Sequence, residues 1–423
     1  MDAPGLPASV TRALVVGLAR SGEAAGLALA RRGIHVVGVD ASANAAVGRL
    51  RDAGVEVHLG AGEEIALIEG VQLLVKSPGV PSEATLVAAA RMRDIPVWSE
   101  LELGARLVGD PEVGVTGTNG KTTTTELIGA IYRAAGRPVV VAGNVGRPLC
   151  ALDGELHGET VVCELSSFQL EDVETFRVQV GVLLNLTPDH LDRHGTLDAY
   201  RAAKLRLFEN QGEDDVAVVP RGFGPVPGRG RAIEFSAADP LPAEPLIPGA
   251  HNRENAAAAA AAARAVGIGE TAIAEALRTF PGVPHRLEPV GEVHGVRFVN
   301  DSKATNPESA ERALAAYPPG LRVIMGGSRK GTPFAALARA AHAAGVARVY
   351  LIGETARELA EALAAAGVDH VSCGELETAC RRAFHEAGAG DTVLLSPACA
   401  SYDQFRNFEE RGARFRELVE ELR

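Results

Sequence analysis

The chain is short of lysine. It carries 42 lysines and arginines together, but only five of them are lysines, at positions 76, 121, 204, 303 and 330. Where a generic surface charge suffices, this sequence uses arginine. Each remaining lysine is therefore expected to have a role that arginine cannot fill, either as a compact charge against phosphate or as an amine that can be modified. Chance survival on a solvated face explains any single lysine better than it explains all five.

Other absences narrow the class of protein. The five cysteines form no CxxC pair, which predicts reduced thiols and a cytoplasmic protein. The sequence shows no signal region after Met1 and no apolar run near the ~20 residues of a membrane span, so membrane insertion is not expected. The net charge of −12 argues against a nucleic-acid partner but allows a local phosphate pocket. A monomer is expected.

The length of 423 residues predicts about three domains. Strand-like and helix-like segments alternate along the chain, which indicates the α/β class. Two turn-rich breaks, Asp110-Pro111 and the run from Phe280 to Pro284, are the best boundaries. The predicted domains are residues 1–109, 110–281 and 282–423.

A phosphate-binding loop is predicted in residues 113–125, Val-Gly-Val-Thr-Gly-Thr-Asn-Gly-Lys-Thr-Thr-Thr-Thr. An apolar strand enters a loop with Gly117 and Gly120, and a helix-forming run follows Lys121 and Thr122. In such a loop the N–H groups and the helix N-terminus face the anion, the lysine neutralises phosphate and the threonine hydroxyl can bind Mg²⁺. The usual first glycine falls at Val115. The competing interpretation is an ordinary strand–helix turn rich in small residues.

Two further segments of the central region carry polar groups at predicted strand ends. Glu164 closes the strand 160–164, where a Walker-B acid would stand. The loop from Asn185 to His194 holds two aspartates and two histidines, which suggests metal or triphosphate chemistry, and neutral His190 could be a ligand. The alternative is a polar loop whose histidine is merely hydrogen-bonded.

Helices of the central region add three candidates. By residue type alone, Lys204 is predicted to be a surface residue of a helix. Asn252 and Asn255 precede an alanine-rich run that predicts a helix. The two amides could bind a base or ribose, or they could equally cap that helix.

The first region opens with a βαβ unit over residues 12–40. Its turn reads Gly17-Leu-Ala-Arg20-Ser21-Gly22, and Asp40 closes the second strand, but Ala19 stands at the usual second glycine. The pattern is weak evidence for NAD, because a nucleotide diphosphate on the helix N-terminus explains it equally well. Ser77-Pro78-Gly79 follows another strand, as either a ligand-binding loop or a plain turn.

The last region predicts a hairpin over residues 287–299 and then alternating strands and helices. Polar loops follow its strands: Asn300 to Pro307, Gly326 to Gly331, and Ser396 to Gly412. Loops at the carboxyl ends of strands are where open α/β sheets bind ligands.

Taken together, these motifs resemble the Mur ligases, ATP-dependent amide-bond-forming enzymes of peptidoglycan precursor synthesis. Residues 117–122 and 185–190 carry the likeness to the whole family, whereas residues 300–306 and 396–412 resemble a member that adds D-glutamate. The likeness spans nearly the whole chain. It implies a Rossmann-like N-terminal domain, a P-loop-type mononucleotide-binding central domain and a Rossmann-like C-terminal domain. It also implies that D-glutamate is ligated to UDP-N-acetylmuramoyl-L-alanine through an acyl phosphate, giving ADP and phosphate.

The resemblance implies roles for individual residues. The UDP substrate would contact Arg20, Ser21, Asp40, Ser77, Pro78 and Gly79. ATP would contact Gly117, Thr118, Asn119, Gly120, Lys121, Thr122, Thr123, Asn252, Asn255, Arg286 and Asp301. D-glutamate would contact Thr305, Lys330, Ser401, Tyr402 and Phe408, and Lys330 would pair with a carboxylate.

The resemblance also implies two Mg²⁺ ions. Thr122 and Glu164 would hold one and His190 the other. Lys204 would be carbamylated, because a carbamate is a carboxylate-like ligand that arginine could not supply. The catalytic residues would be Lys121, Lys204, His190, Lys303 and Asn144, the last near the acyl phosphate. Residues 41 and 42, Ala-Ser, stand where the family has longer polar side chains near uracil.

Three alternatives remain open at this point. The first is a different Mur ligase or a folylpolyglutamate synthetase. The second is an NAD(P)-dependent oxidoreductase built on residues 12–40, which leaves Lys121, Glu164 and His190 unexplained. The third is a non-catalytic ATP-binding or scaffold protein.

Overall fold

The computed structural model describes residues 5–43, 45, 47–329 and 333–423, without the side chain of Asp192. The chain divides into two compact units. The first unit runs up to Pro245 and includes His251–Phe280, and the second contains Leu246–Ala250 and Pro281–Arg423. The first unit holds two β-sheets and the second holds one.

The first sheet has five parallel strands in the order β3-β2-β1-β4-β5. Its elements are β1 Arg12–Val16, α1 Arg20–Ala30, β2 His35–Asp40, α2 Gly48–Asp52, β3 Glu56–Leu59, a 3₁₀ turn Ile65–Ile68, β4 Leu73–Lys76, α3 Thr85–Arg91, β5 Val97–Ser99 and α4 Glu100–Val108. Because all strands are parallel, the turn after β1 and the loop after β4 lie at the same edge.

The turn after β1 depends on glycine. Gly17 has φ +85°, and a Cβ on it would lie 2.8 Å from Val80 Cγ2 and 2.9 Å from Ser77 Cβ. Ala19, at the usual second glycine, has φ −68° and therefore needs no glycine. The departure from the usual motif is thus compatible with the same turn.

The second sheet has six parallel strands in the order β11-β10-β9-β6-β8-β7. Its elements are β6 Val113–Thr116, α5 Lys121–Ala134, β7 Val139–Gly143, a 3₁₀ turn Leu149–Leu152, β8 Thr160–Glu164, α6 Ser167–Leu170, β9 Val180–Leu183, α7 Leu191–His194, α8 Leu197–Glu209, β10 Val216–Pro220, β11 Arg231–Phe235, α9 Ala250–Ala265 and α10 Glu270–Thr279. Strand β6 lies between β8 and β9, so the loops after these three strands meet at one edge.

A buried ionic network joins the first two sheets. Lys76, which ends β4, is 0% exposed and lies 3.0 Å from the Glu171 carboxylate and 2.7 Å from the Asp172 carboxylate. Arg91 also pairs with Asp172 at 2.6 Å. For Lys76, the expectation of a phosphate contact or a modifiable amine is therefore wrong, because both carboxylates engage the ammonium inside the scaffold.

The second unit holds a six-stranded mixed sheet in the order β12-β13-β17-β14-β15-β16. Its elements are β12 Glu288–Val293, β13 Val296–Asn300, α11 Pro307–Ala315, β14 Arg322–Gly326, α12 Ala335–Ala343, β15 Arg348–Ile352, α13 Ala356–Ala365, β16 His370–Gly374, α14 Leu376–Glu386, β17 Thr392–Leu395 and α15 Phe408–Glu421. Strands β12 and β13 form the predicted hairpin, and the other pairings are parallel. Separate apolar clusters cover the sheet's two faces.

The predicted α/β class is confirmed in all three sheets. All five cysteines are free thiols. Across the described ranges, every helix is too short or too polar to cross a membrane.

Candidate active site

The loop between β6 and α5 has the conformation of a phosphate cradle. Gly117 and Gly120 adopt φ values of 152° and 84°. A Cβ on Gly120 would lie 2.3 Å from the Asn255 amide oxygen, so only glycine fits against this buried side chain. The strand, glycine loop and helix thus occur as predicted, and α9 brings Asn255 against the loop.

The cradle is held in shape by the loop that follows β9. Asn119 N–H donates to Asn185 Oδ1 at 2.9 Å, and Asn185 Nδ2 donates back to the Asn119 carbonyl at 3.1 Å. The Thr118 N–H donates to the Asn185 carbonyl at 3.0 Å. Asn185 therefore supports the cradle, a role that its residue type alone did not reveal.

Two lysines converge on one carbonyl of the cradle. Lys121 Nζ donates to the Gly117 and Thr118 carbonyls, each at 2.9 Å. Lys204 Nζ, from α8, donates to the same Gly117 carbonyl at 2.8 Å. Both amines therefore lie at the phosphate loop.

Lys204 is not the surface residue that its type predicts. The side chain is 1% exposed, and its Nζ lies 4.7 Å from the centre of the Tyr200 ring. Burial, and next the charge of Lys121, lower the pKa of Lys204 to about 6. The amine is therefore mostly uncharged at neutral pH. The surface interpretation fails because α8 turns this residue towards the end of β6.

Glu164 ends β8 beside the cradle, opposite Val115 of β6. Its Oε1 accepts a hydrogen bond from Asn144 Nδ2 at 2.9 Å, whereas its buried Oε2 has no hydrogen-bond partner among the described residues. A buried carboxylate oxygen without a partner is costly. It fits a hard cation such as Mg²⁺, which prefers oxygen ligands.

The described residues contain no cluster of three or more His, Cys, Asp and Glu side chains suited to a metal. A metal at Glu164 would therefore complete its shell from hydroxyl, phosphate or water oxygens, as Mg²⁺ commonly does. Thr122, buried at the start of α5, offers such a hydroxyl.

His190 has a left-handed backbone conformation in the loop that follows β9. Its φ is 52°, and it directly precedes α7. Its ring Nε2 is 3.5 Å from the Asp189 carboxylate, and its ring centre is 4.9 Å from that of Phe168 and 6.4 Å from that of Tyr200. These two aromatic rings, which sequence reasoning gave no role, bring together the segments that carry Glu164, His190 and Lys204.

A cavity of about 690 Å³ opens at the carboxyl edge of the first sheet. Its lining includes all six residues predicted for the UDP substrate: Arg20, Ser21, Asp40, Ser77, Pro78 and Gly79. Gly143 and Asn144, at the end of β7, also line it. Asn144 therefore borders the cavity and also donates to Glu164.

Two of the residues predicted to contact the UDP substrate also form hydrogen bonds with the backbone that lines the cavity. The carboxylate of Asp40 accepts hydrogen bonds from the backbone N–H groups of Leu18 at 2.7 Å and Ser42 at 2.8 Å. Ser77 Oγ donates to the Gly17 carbonyl at 2.7 Å. Both residues thus fix the glycine turn as well as lining the cavity.

Arg193 ties the cavity rim to the His190 segment. From α7 its guanidinium donates to the carbonyls of Pro78 at 3.0 Å and Val80 at 2.8 Å. It also donates to Glu171 at 3.2 Å. Sequence reasoning missed this residue, since an arginine in a polar loop gives no signal of such a contact.

The second unit gathers another group of predicted residues. Lys303 Nζ lies 5.9 Å from the centre of the Phe408 ring, and Ser302 Oγ donates to the Phe408 carbonyl at 2.8 Å. Thr305 N–H donates to the Lys303 carbonyl at 2.8 Å. Ser401 is buried.

The remaining predicted contacts differ in their surroundings. Tyr402 is 73% exposed, and Lys330 lies outside the described residues. Asp301 is buried and accepts hydrogen bonds from Ser396 Oγ at 2.8 Å and the Leu287 N–H at 3.2 Å. Burial raises the pKa of Asp301 to about 7, although the charge of Arg286 opposes this. Arg286 and Asp301 lie in the second unit, whereas the other predicted ATP contacts lie in the first.

Sequence comparison identifies the family to which this chain belongs. The model of the Mur ligase middle domain matches residues 115–222, and the model described as the glutamate ligase domain of Mur ligases matches residues 285–399. The UDP-N-acetylmuramoylalanine–D-glutamate ligase of Pelotomaculum thermopropionicum is 45% identical over 97% of this chain and 98% of its own. The chain belongs to the Mur ligase family. Another enzyme of that name, from Anaeromyxobacter dehalogenans, is 45% identical to this Mur ligase over 100% of this chain and 99% of its own.

Solved structures of other Mur ligases share the fold. The UDP-N-acetylmuramate-alanine ligase MurC of Thermotoga maritima aligns with a TM-score of 0.60 over 97% of this chain and 100% of its own, at 19% identity. MurF of Acinetobacter baumannii aligns with a TM-score of 0.60 over 97% and 94%, at 18% identity. The relatives at 45% identity confirm the predicted family resemblance, and the oxidoreductase and scaffold alternatives lose their basis. Family membership makes the chain an ATP-dependent, amide-bond-forming ligase.

Proposed function

We propose that this Mur ligase joins D-glutamate to UDP-N-acetylmuramoyl-L-alanine in peptidoglycan precursor synthesis, converting ATP to ADP and phosphate. The observation that carries the proposal is the position of Asn144. Its side chain borders the 690 Å³ cavity and donates to Glu164 beside the phosphate loop. The substrates come from the names of the relatives that are 45% identical over nearly the whole chain.

The chemistry requires activation, because a free carboxylate has no leaving group that an amine can displace. The carboxylate of the nucleotide substrate attacks the γ-phosphorus of ATP, so that an acyl phosphate forms and ADP leaves. The neutral amine of D-glutamate then adds to the acyl carbon, and phosphate departs from the tetrahedral intermediate. Such a reaction depends on positioning and charge neutralisation and needs no nucleophilic side chain.

The first unit supplies the groups for phosphoryl transfer. Lys121 and the loop N–H groups bind the outer phosphates, and Asn144 orients the carboxylate that receives the phosphoryl group. Bound Mg²⁺ would neutralise charge on the phosphoryl oxygens. Thr122 and Glu164 would hold one ion and His190 a second, and the lone buried Oε2 of Glu164 supports the first assignment.

We assign Lys204 a carbamate. The uncharged amine adds to CO₂, a C–N bond forms, and one proton is lost, leaving an N-carboxylate. The position of Lys204 supports this, because the amine is buried at the phosphate loop and donates only to a carbonyl and a hydroxyl among the described groups. A carbamate there would add a carboxylate ligand beside Glu164 and His190.

The other assignments follow the family resemblance. The six cavity residues would hold the UDP substrate, and Asn252, Asn255, Arg286 and Asp301 would contact ATP. Thr305, Lys330, Ser401, Tyr402 and Phe408 would bind D-glutamate, and Lys303 would lie near the reacting phosphate. The domains would be residues 1–109, 110–281 and 282–423, and the free thiols are in keeping with a cytoplasmic protein.

The decisive experiment measures phosphate release from ATP with UDP-N-acetylmuramoyl-L-alanine and a panel of amino acids. We expect release only when the nucleotide acid and D-glutamate are both present. Preference for L-alanine or meso-diaminopimelate would indicate a different Mur ligase. A requirement for a folate acceptor would indicate a folylpolyglutamate synthetase. Release that is indifferent to both substrates would overturn the proposal.

A further inference from the structure

Arg411 is a buried cation in the second unit. It lies in the first turn of α15, and its side chain is 1% exposed. Its Nε donates to Ser302 Oγ at 3.0 Å, its Nη1 to the Ala400 carbonyl at 3.2 Å, and its Nη2 to the carbonyls of Ser302 at 2.8 Å and Cys399 at 3.1 Å. All four acceptors are uncharged.

The guanidinium has no direct ionic partner within the described ranges. Burial lowers the pKa of Arg411 to about 10, opposed by the nearby Asp403 and Asp301, so the group stays charged at neutral pH. Asp301 instead accepts hydrogen bonds from Ser396 and Leu287, and Asp403 accepts one from Ser328 Oγ at 3.2 Å. A buried charge without a counter-ion is costly, and scaffolding alone would be served as well by an apolar side chain.

The four bonds fasten two segments that carry proposed amino-acid contacts. Ser302 directly precedes Lys303, whose carbonyl accepts a hydrogen bond from the N–H of Thr305, and Ala400 directly precedes Ser401. Ser302 Oγ also donates to the carbonyl of Phe408, three residues before Arg411 on the same helix. The guanidinium therefore binds the residues directly before Lys303 and Ser401, and it is linked to the Phe408 carbonyl through Ser302 Oγ.

Close packing against Gly327 leaves the guanidinium little freedom. A Cβ on Gly327 would lie 2.1 Å from the Ala400 carbonyl oxygen and 3.2 Å from Arg411 Nη1. Gly327 has φ +143°, a conformation that other residues rarely adopt. A lysine at position 411 could not reach all of these acceptors with its single ammonium group, because they are spaced for the planar guanidinium of arginine.

We propose that Arg411 is a positioning residue for the incoming amino acid. It fixes Ser401, Phe408 and the segment that carries Lys303 and Thr305, and it places behind them a buried positive charge, without a direct ion pair among the described residues, that favours a dicarboxylic substrate. This inference rests on the proposed function, because it takes the acidic amino acid from there. It adds a residue that touches the substrate only through others.

The test compares Arg411→Lys with a matched control on the same helix. Arg414→Lys changes an exposed arginine that pairs with Glu377, Glu417 and Glu421, away from Ser302 and Ala400. For Arg411→Lys we expect the KM for D-glutamate to rise about 10- to 30-fold, from the loss of two or more directional hydrogen bonds. The KM values for ATP and the nucleotide acid and the kcat at saturation should change less than about 3-fold. Arg414→Lys should leave all of these values unchanged.

A second pair of measurements separates positioning from a general loss of structure. Ser302→Ala removes the hydroxyl that accepts from Arg411 Nε and donates to the Phe408 carbonyl, but it keeps the guanidinium and its three bonds to backbone carbonyls. We expect it to raise the KM for D-glutamate about 3- to 5-fold. Arg411→Met should also reduce the preference for D-glutamate over D-glutamine, which differs only in the side-chain charge. Thermal unfolding of each variant shows the folded fraction, and Ser302→Ala decides the matter if Arg411→Lys does not fold.

Each possible result of these measurements either supports or overturns the positioning role of Arg411. A selective rise in the D-glutamate KM supports the inference. Equal rises in all three KM values, or a D-glutamate KM for Arg411→Lys equal to that of Arg414→Lys, overturn it. If the wild-type enzyme itself does not ligate D-glutamate, the proposed function fails first, so the two failures are distinguishable.

Discussion

The first unit contains two buried lysines in contrasting surroundings. Lys76, at the junction of the first two sheets, contacts two carboxylates. Lys204, at the phosphate loop, contacts a carbonyl and a hydroxyl and has its pKa lowered to about 6, mainly by burial. Residue type and burial are thus the same in a scaffold ion pair and in a candidate reactive amine. The difference lies in whether the neighbours already satisfy the charge.

The carboxylates near the two lysines also differ in whether their charge is already paired. At the junction, burial by itself raises the pKa of Glu171, but the charges of Lys76 and Arg193 outweigh it and leave the pKa below its ordinary value. At the phosphate loop, one buried oxygen of Glu164 has no hydrogen-bond partner within the described ranges. Glu171 and Asp172 at the junction are paired with Lys76 and Arg91, whereas Glu164 at the loop has no ion pair in the described part of the chain and retains binding capacity for a cation.

The largest effect should come from Lys204→Ala. If Lys204 carries the proposed carbamate, its loss removes a metal ligand, and we expect turnover to fall about 10²- to 10³-fold with folding retained. Short carboxylates such as acetate or formate should restore part of the activity by occupying the place of the carbamate. Arg201→Ala, on the same helix, is the control in phosphate-release assays with and without added carboxylate. Unchanged turnover in Lys204→Ala would remove the contrast between the two lysines.

Lys76→Met should give the opposite profile. It leaves buried carboxylates with fewer cations, so we expect the free energy of unfolding to fall by about 3 kcal/mol. Turnover per folded molecule should stay far above that of Lys204→Ala. Denaturant unfolding followed by activity at a temperature where the variant is folded checks both points. A variant that is fully stable but inactive would place Lys76 in the site after all.

The next largest effect is a pH-dependent change in stability caused by the buried carboxyl group of Glu100. Glu100 is fully buried on α4, accepts a hydrogen bond from the Cys150 N–H at 2.6 Å, and has its pKa raised by burial from 4.5 to about 7. The folded form therefore keeps a proton that the unfolded chain releases, and stability falls as the pH rises from 4.5 through 7.

Glu100→Gln keeps an acceptor for Cys150 and removes this titration. We expect it to be more stable than the wild type by about 2 kcal/mol at pH 8 and nearly equal at pH 4.5. Thermal unfolding over that range is the measurement, and Glu155→Gln, at an exposed site, is the control. A constant difference between wild type and Glu100→Gln at every pH would show that Glu100 does not titrate there.

The smallest effect should follow from Tyr200→Phe. The hydroxyl lies 3.1 Å from Thr118 Oγ1 of the phosphate loop, while the ring packs beside His190 and Lys204. Because the ring is kept, we expect only about a 3-fold rise in the KM for ATP. A loss as large as that of Lys204→Ala would mean that the hydroxyl itself takes part in the reaction.

The sequence predicted the parts of the fold that local chemistry determines. The glycines at 117 and 120 and the following Lys121 suffice to predict a strand, cradle and helix, and the turn residues mark the hairpin after Leu287. The family resemblance then supplied candidate residues of both units. Six of these, from Arg20 to Gly79 and thus up to 59 positions apart, do line one cavity.

What the sequence could not supply is pairing between distant segments. Lys76 and Glu171 are 95 positions apart, and nothing in either neighbourhood predicts that they meet. The burial of Lys204 depends on how α8 packs against β6, and the four bonds of Arg411 depend on which loops face α15. Side-chain type alone cannot distinguish these arrangements from exposed charges.

The burial of Lys76 and Lys204 has a practical consequence for labelling. In a chain of only five lysines, a reagent that acylates amines in water finds these two closed off. Partly exposed Lys121 and Lys303 both belong to the proposed site. The mass gained on brief acylation, and the reduction of that gain by bound nucleotide, would therefore report how much of the proposed site is occupied, without an engineered tag.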